Sequence, residues 1–394
     1  MKPVVAAYTC PLWHPSAHFA EGFGAGWSEY TVMRGARPWF DAHHQPRTPL
    51  LGERDESSPE TWELYNQVAA AHGVDVLVWD TYWYDGRPAL HEALDDGFLR
   101  AANRDVLDFA VMWTNHPWSR GEPLAAAEGT LESDSVEECR RSLSFLVARY
   151  LHEPNYWHID GKPVVVIWDS ERLWRGLGAE QAAELLTDLR SLAQQLGHSG
   201  LHLHANCTAA LARAGWRLEA IIGELGGLEA LGFDSYGIYN PLVPLGFARP
   251  AEEELPEYDT LVAQASAELW PTLDTASRLP FFPGVSPGYD ESPRTIPDVT
   301  PWWEGAPRAR AANRTEQPDR RNWPGTGLIV VGETPEAFEV HVRDALTFLR
   351  ERPETPPVVT IGCWNEFTEG QYLLPDTRFG YGMLQALARA RSGV

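Results

Sequence analysis

The chain has 394 residues, 44% of them hydrophobic, and a formal net charge of -23. That length and apolar content suffice for a large core. The acidity argues against a nucleic-acid partner, because phosphates call for basic patches. No run is apolar and long enough to cross a bilayer. The N-terminus opens almost directly into a strand, Pro3-Val-Val-Ala-Ala-Tyr8, with no apolar leader before it, and so points to a cytoplasmic protein.

Short apolar runs alternate with helical patterns along the chain. The runs are residues 4–8, 74–79, 108–113, 164–168, 201–205, 232–236, 281–285 and 358–364. The helical patterns lie near 59–72, 89–102, 135–151, 178–196, 209–217, 257–275, 334–351 and 380–391. This order predicts an α/β fold, a (β/α)8 TIM barrel in one domain spanning 1–394. Helix-to-strand connections are short; Ala71-His-Gly-Val74 turns on one glycine. Strand-to-helix connections are long, about 50 residues after the first strand and about 45 after the seventh, as expected of functional loops. In a barrel these loops gather at the C-terminal face, where active sites sit.

The residues at the strand ends are therefore the candidates. In chain order they are Tyr8 with Trp13; Asp80, Tyr82 and Trp83; Trp113, Asn115 and His116; Asp169; His204; Asp234 and Tyr236; Tyr289 and Asp290; and Trp364 with Asn365. With 17 Trp, 13 Tyr and 14 Phe, there are rings enough both for the core and for a platform under sugar CH faces. Hydroxyls, amides and carboxylates are suited to grip sugar hydroxyls. Asp80 and Asp234 each read equally well as caps of a following turn. His202 and His204 alternate with Leu201 and Leu203, and each reads somewhat more readily as a core histidine than as a ligand. His43-His44 has no second ligand cluster at metal spacing, so no metal and no cofactor are expected. Cys10, Cys139, Cys207 and Cys363 form no CxxC pair; Cys10, Cys207 and Cys363 read as buried thiols at strand ends.

Glu366 and Glu369 stand apart. They lie three residues apart beside Trp364 and Asn365, and a helical turn after the eighth strand would point both into one cavity. Such a pair supplies the acid and the base that glycosidic cleavage requires.

Several segments together resemble the glycoside hydrolase family 99-like proteins, also labelled WbsX-like. They are Gly26-Trp-Ser-Glu-Tyr30 with His44-Gln-Pro46, Tyr82-Trp-Tyr84, Trp113-Thr-Asn115 with Trp118, and Gly161-Lys-Pro163. Phe282-Pro-Gly-Val-Ser-Pro-Gly-Tyr-Asp290 with Pro293-Arg294, and Trp364-Asn-Glu-Phe-Thr-Glu-Gly370 followed by Pro375-Asp-Thr-Arg378, complete the order. The resemblance implies a (β/α)8 barrel and, from the family's mannosidase branch, endo-acting cleavage of α-mannosidic links with retention. It implies that Glu366 assists the sugar's own 2-hydroxyl, giving a 1,2-anhydro sugar, while Glu369 serves as acid and then base. His116 stands where relatives carry Glu, Phe367 where they carry Trp, and Thr368 where the mannosidase branch carries His. These departures fall on the expected sugar-contacting face. An oligo- or polysaccharide is the expected partner. The rival readings are a glycosyltransferase or assembly factor for surface polysaccharide, which the older family label favours, and a non-catalytic carbohydrate-binding barrel.

Overall fold

A computed structural model describes residues 2–18, 20, 24–84, 86–115, 135–215, 217–249, 255–295 and 328–393. His116, Trp118 and Asp85 lie outside the described residues. Among the described residues, no helix is long and apolar enough to cross a membrane.

The parallel strands are β1 (Val4–Thr9), β2 (Val76–Tyr84), β3 (Asp108–Trp113), β4 (Lys162–Ile167), β5 (His202–Asn206), β6 (Ser235–Gly237), β7 (Phe281–Phe282 and Gly284–Val285) and β8 (Val358–Ile361). Each pairs in parallel with the next, and β1 also pairs with β8, with Val4 opposite Val358 and Ala6 opposite Val76. β7 is interrupted at Pro283, which has no N–H to donate to a ladder. Its first half pairs with β6, Tyr236 opposite Phe281, and its second half with β8, Gly284 opposite Thr360. The two halves close the barrel. Strands covered on both faces read as near-continuous apolar runs, and Val5, Ala6, Val164, Val165, Ile167, Val359 and Ile361 are all fully buried.

The outer helices start on local signals. Ser135 caps Val136–Tyr150, its side chain accepting from the Glu138 N–H at 3.1 Å. Thr334 caps Pro335–Arg350 through the Ala337 N–H at 3.1 Å, with Pro at the first turn. The pattern near 89–102 is not an α-helix. It is a π turn, Ala93–Gly97, followed by a 3-10 turn, Phe98–Arg100. Gly97 lies so close to the Glu56 carbonyl and the Trp62 ring that no Cβ would fit.

β8 stops at Ile361, short of the predicted Trp364. The Gly362–Cys363 peptide is cis. Beyond it, Asn365–Glu366 pairs antiparallel with Gln371–Tyr372, and the 3-10 turn Phe367–Glu369 joins them. Gly370 ends that turn at φ 64°. A side chain there would strike the Asp290 backbone.

Candidate active site

The hairpin carrying Glu366 and Glu369 is fixed from below by backbone contacts. The Trp364 N–H donates to the Tyr8 carbonyl at 2.7 Å, and the Leu373 and Leu374 N–H groups donate to the Trp364 carbonyl at 3.0 Å. The Trp364 ring is buried and meets Tyr65 at 6.1 Å between ring centroids, so it is packing rather than platform. Asn365 is fully buried. Its Oδ1 accepts from the Cys10 N–H at 2.9 Å, and its Nδ2 donates to the Cys10 carbonyl at 2.8 Å and to Glu56 at 3.0 and 3.2 Å. The amide joins the loop after β1 to the hairpin, and its Nδ2 donors are spent on that tie.

On this support sits a carboxylate cluster around one guanidinium. Arg294 donates to Glu366 Oε1 through Nη2 at 2.7 Å, to Glu369 Oε1 through Nη1, and to Thr368 Oγ1 through Nε at 3.1 Å. Glu29, fully buried on the helix Glu29–Gly35, brings Oε1 to 3.6 Å from Nη2. Gln371 donates to Glu369 Oε2, and its own amide oxygen accepts from Asn240 at 2.7 Å.

Burial dominates the titration of this cluster, because desolvation disfavours the ionised form. It pushes Glu369 up to about 7, against the Arg294 guanidinium and with the help of Glu366 and Glu291. It pushes Glu29 up to about 7 as well, again against Arg294 and with Glu366 adding to it. Asp80 lies well above the ordinary carboxylate range through burial and the charges of Glu366 and Glu369. Glu56 does so through burial, despite its Asn365 bond. Glu369, Glu29, Asp80 and Glu56 are therefore all easier to protonate than a carboxyl in water.

Asp290 behaves oppositely. Burial alone would raise it, yet His43 at 2.8 Å, Arg47 at 3.5 Å and Gln45 at 2.6 Å surround Oδ2, and its carboxyl falls below the usual range. Its backbone N–H donates to the Glu369 carbonyl at 2.6 Å. Asp290 is thus a tie between the first loop and the turn bearing Glu369.

The remaining candidates divide. Tyr8 lies at the barrel mouth with its ring 4.7 Å from Tyr239, and Asp80 and Tyr82 face the pair's side of the barrel. Trp13 is buried, edge-on to Phe367 at 5.6 Å. Trp83 donates to Glu138 on the helix Val136–Tyr150, away from the cluster. Asn115 and Asp169 bond each other, Nδ2 to the Asp169 carbonyl at 3.0 Å and the Asp169 N–H to Oδ1 at 2.8 Å. Asp169 also caps Ser170–Leu177. Trp113 is buried beside them. His204 lies inside the barrel, stacked on Phe282 and sharing the Ser235 hydroxyl with His202. Burial and His202 lower it to about 3, a neutral core histidine.

Three candidates are turned away from the site. Asp234 holds Arg190 at 2.6 Å and the Leu203 N–H at 2.9 Å at the start of β6. Tyr236 points outward, its hydroxyl on the Leu273 carbonyl. Tyr289 packs in a satellite core with Tyr258 and Leu328. Strand parity explains Tyr236, since neighbours of inward Ser235 and Gly237 must face out.

Phe367 and Thr368 are 2% and 0% exposed, and both are engaged by neighbouring side chains. Phe367 stacks on Tyr372 at 4.1 Å, and Thr368 bonds both Arg294 and Glu366. Reading the sequence residue by residue does not single out Glu29, Arg294, Glu56 or Gln371. Glu29 and Arg294 are each the one charged side chain in a motif already noted, Gly26-Trp-Ser-Glu-Tyr30 and Pro293-Arg294.

A parallel barrel with a buried acidic cluster at the carboxyl ends of its strands defines a TIM-barrel protein whose candidate site lies at the face where such barrels carry theirs. Residues 5–302 and 312–387 match the family described as "Glycosyltransferase WbsX", and the chain belongs to that family. It is 23% identical over 401 residues to "Uncharacterized protein WxcX" of Xanthomonas campestris pv. campestris (strain B100), covering 99% of this chain and 50% of that protein. The chain thus spans about half the length of the curated relatives it matches. Its fold is similar to that of the GH99 endo-alpha-mannosidase from Bacteroides thetaiotaomicron, with TM-score 0.54, 14% identity, and coverage of 99% of this chain and 96% of that one. A structure described as a glycoside hydrolase-like protein gives TM-score 0.58 at 12% identity, covering 99% and 94%.

Proposed function

We propose that this chain is a glycoside hydrolase that cleaves an α-linked, mannose-containing oligo- or polysaccharide, internally and with retention. The observation that carries the reading is the Glu366–Glu369 pair on one short turn, bridged by Arg294, with Glu369 pushed up to about 7. A carboxyl that holds its proton near neutrality beside a second carboxyl is the division of labour that glycosidic acid catalysis needs.

In the substrate-assisted scheme that the family resemblance implies, Glu366 accepts the hydrogen of the sugar's 2-hydroxyl as that oxygen attacks the anomeric carbon. The glycosidic C–O bond breaks, and the leaving oxygen takes the proton of Glu369. Glu369, now a carboxylate, removes a proton from water as the water oxygen attacks the anomeric carbon of the 1,2-anhydro sugar. The epoxide C–O bond at that carbon opens, and O2 regains its proton from Glu366. Two inversions give net retention.

Glu369→Gln should lose about 100-fold or more of the hydrolytic rate on an α-manno-oligosaccharide; an unchanged rate would refute the assignment. A 2-deoxy analogue cleaved at the normal rate would refute participation of the 2-hydroxyl and leave the hydrolase reading standing. The family description favours a second reading, glycosyl transfer. Saturable binding of a nucleotide sugar, without hydrolysis of any glycan, would select it.

A further inference from the structure

The guanidinium of Arg294 touches the functional turn through every one of its nitrogens. Nη2 meets Glu366, Nη1 meets Glu369, and Nε meets Thr368 between them. Thr368 in turn donates to Glu366 Oε1 at 3.2 Å. The fork therefore sets the relative orientation of the two carboxyl groups, as a point charge would not. It uses Oε1 of each. Glu29 approaches the same Nη2 from the opposite element, at 3.6 Å, where its distance is too long for a good hydrogen bond. Glu29 is fully buried, and among the described residues neither of its carboxylate oxygens has a hydrogen-bond partner within ordinary geometry. The Thr368 hydroxyl is close enough to favour its ionised form slightly, but directs its hydrogen to Glu366.

We propose that Arg294 and Glu29 are a positioning pair for the Glu366–Glu369 turn: the guanidinium holds the two carboxyls in register, and Glu29 competes for that guanidinium and so sets how strongly it acts. The inference deepens the hydrolase reading and rests on it for its catalytic meaning, but the charge balance it describes exists without substrate.

The surroundings fix the direction of each effect. Facing the pair are Glu29 from the helix Glu29–Gly35, Cys10 after β1, Glu56 and Asp80 from the first loop and β2, and Glu291 beside Arg294. All are acids; a further cation, Arg47, packs on the turn at Gly370 but is held by Asp290 and Glu333. Arg294 is the cation that opposes burial at both Glu369 and Glu29. Removing its charge must favour the protonated form of Glu369. Removing the charge of Glu29 leaves more of the guanidinium's field to Glu366 and Glu369 and must do the reverse.

The test is a carboxyl titration of the full chain, with glutamate labelled with carbon-13 and the Glu369 resonance assigned by its loss in Glu369→Gln. In Arg294→Gln the Glu369 midpoint should rise by about one unit or more, the usual size of losing one adjacent opposite charge. In Glu29→Gln it should fall. Arg294→Lys keeps the charge without the fork; its midpoint should stay near wild type while its rate on an α-manno-oligosaccharide falls about 10-fold or more, the order expected for a displaced catalytic group. If Arg294→Gln does not fold, Glu29→Gln and Arg294→Lys decide alone. Midpoints that move the same way in the Arg294→Gln and Glu29→Gln variants, or a Glu29→Gln midpoint equal to wild type, overturn the proposal. The expected midpoints in a protein that hydrolyses no glycan would overturn the hydrolase reading and leave the charge balance intact.

Discussion

Replacing Asn365 by aspartate tests whether this residue holds the site together or touches substrate. The change is nearly isosteric and keeps the oxygen that accepts from the Cys10 N–H. It removes the donor to the Cys10 carbonyl and to Glu56. Both acceptors are buried, and each buried group left unsatisfied costs about 1–3 kcal/mol. The new carboxyl also lies where Nδ2 stood, about 3 Å from the Glu56 oxygens, a like-charge contact or a forced protonation. Together these predict a loss of about 3–5 kcal/mol, a large share of the roughly 5–15 kcal/mol that ordinarily holds a domain folded. Equilibrium denaturation of the wild type, of Asn365→Asp and of the double variant that adds Glu56→Gln measures it. The double variant supplies an amide at position 56 that can donate to the new carboxylate, and should recover about half of the loss by the same hydrogen-bond magnitudes. A single variant within about 0.5 kcal/mol of wild type, the range of an ordinary surface change, would refute the tie between first loop and hairpin.

The pH dependence follows from Glu369 and Glu29, both raised from 4.5 to about 7 in the folded protein. Between those values the folded state binds more protons than the unfolded one, so their stability contribution is complete below 4.5 and is lost as pH climbs through 7; melting temperature should fall over that interval. On the hydrolase reading proposed above, with Glu369 as the acid, hydrolysis should decline as pH passes about 7, which a rate profile on an α-manno-oligosaccharide will record. Asp290 has the opposite sign: its contribution is present above its unfolded value near about 3.9 and disappears as acid protonates the folded group. Asp290→Asn, which leaves Arg47 and His43 without that carboxylate, should destabilise by about 3 kcal/mol, measured by denaturation at pH 7. Thr368→His, which restores the residue of the mannosidase branch, should cost about 1–3 kcal/mol by overpacking a fully buried position between Arg294 and Glu366. A variant as stable as wild type would show that this pocket has room to spare.

The order of apolar runs and helical patterns was enough to specify the barrel, because covered parallel strands and amphipathic helices leave distinct periodicities in a linear sequence. The acid pair was legible for a similar reason: Glu366 and Glu369 are close along the chain, so one local turn brings them together. What the sequence could not carry was the direction of side chains set by partners far away. Asn365 reads as a sugar-binding amide until the chain folds and Cys10 and Glu56 arrive from more than 300 positions earlier to occupy it. Tyr236 and Asp234 read as strand-end ligands until strand parity and Arg190 turn them outward. Phe367 and Thr368 read as a sugar-facing surface until Trp13, Tyr372 and Arg294 cover them. Local spacing decided which residues share an element. Burial and charge, which depend on every element at once, decided that Glu369 is raised to about 7 and that Glu29 and Arg294 belong beside it.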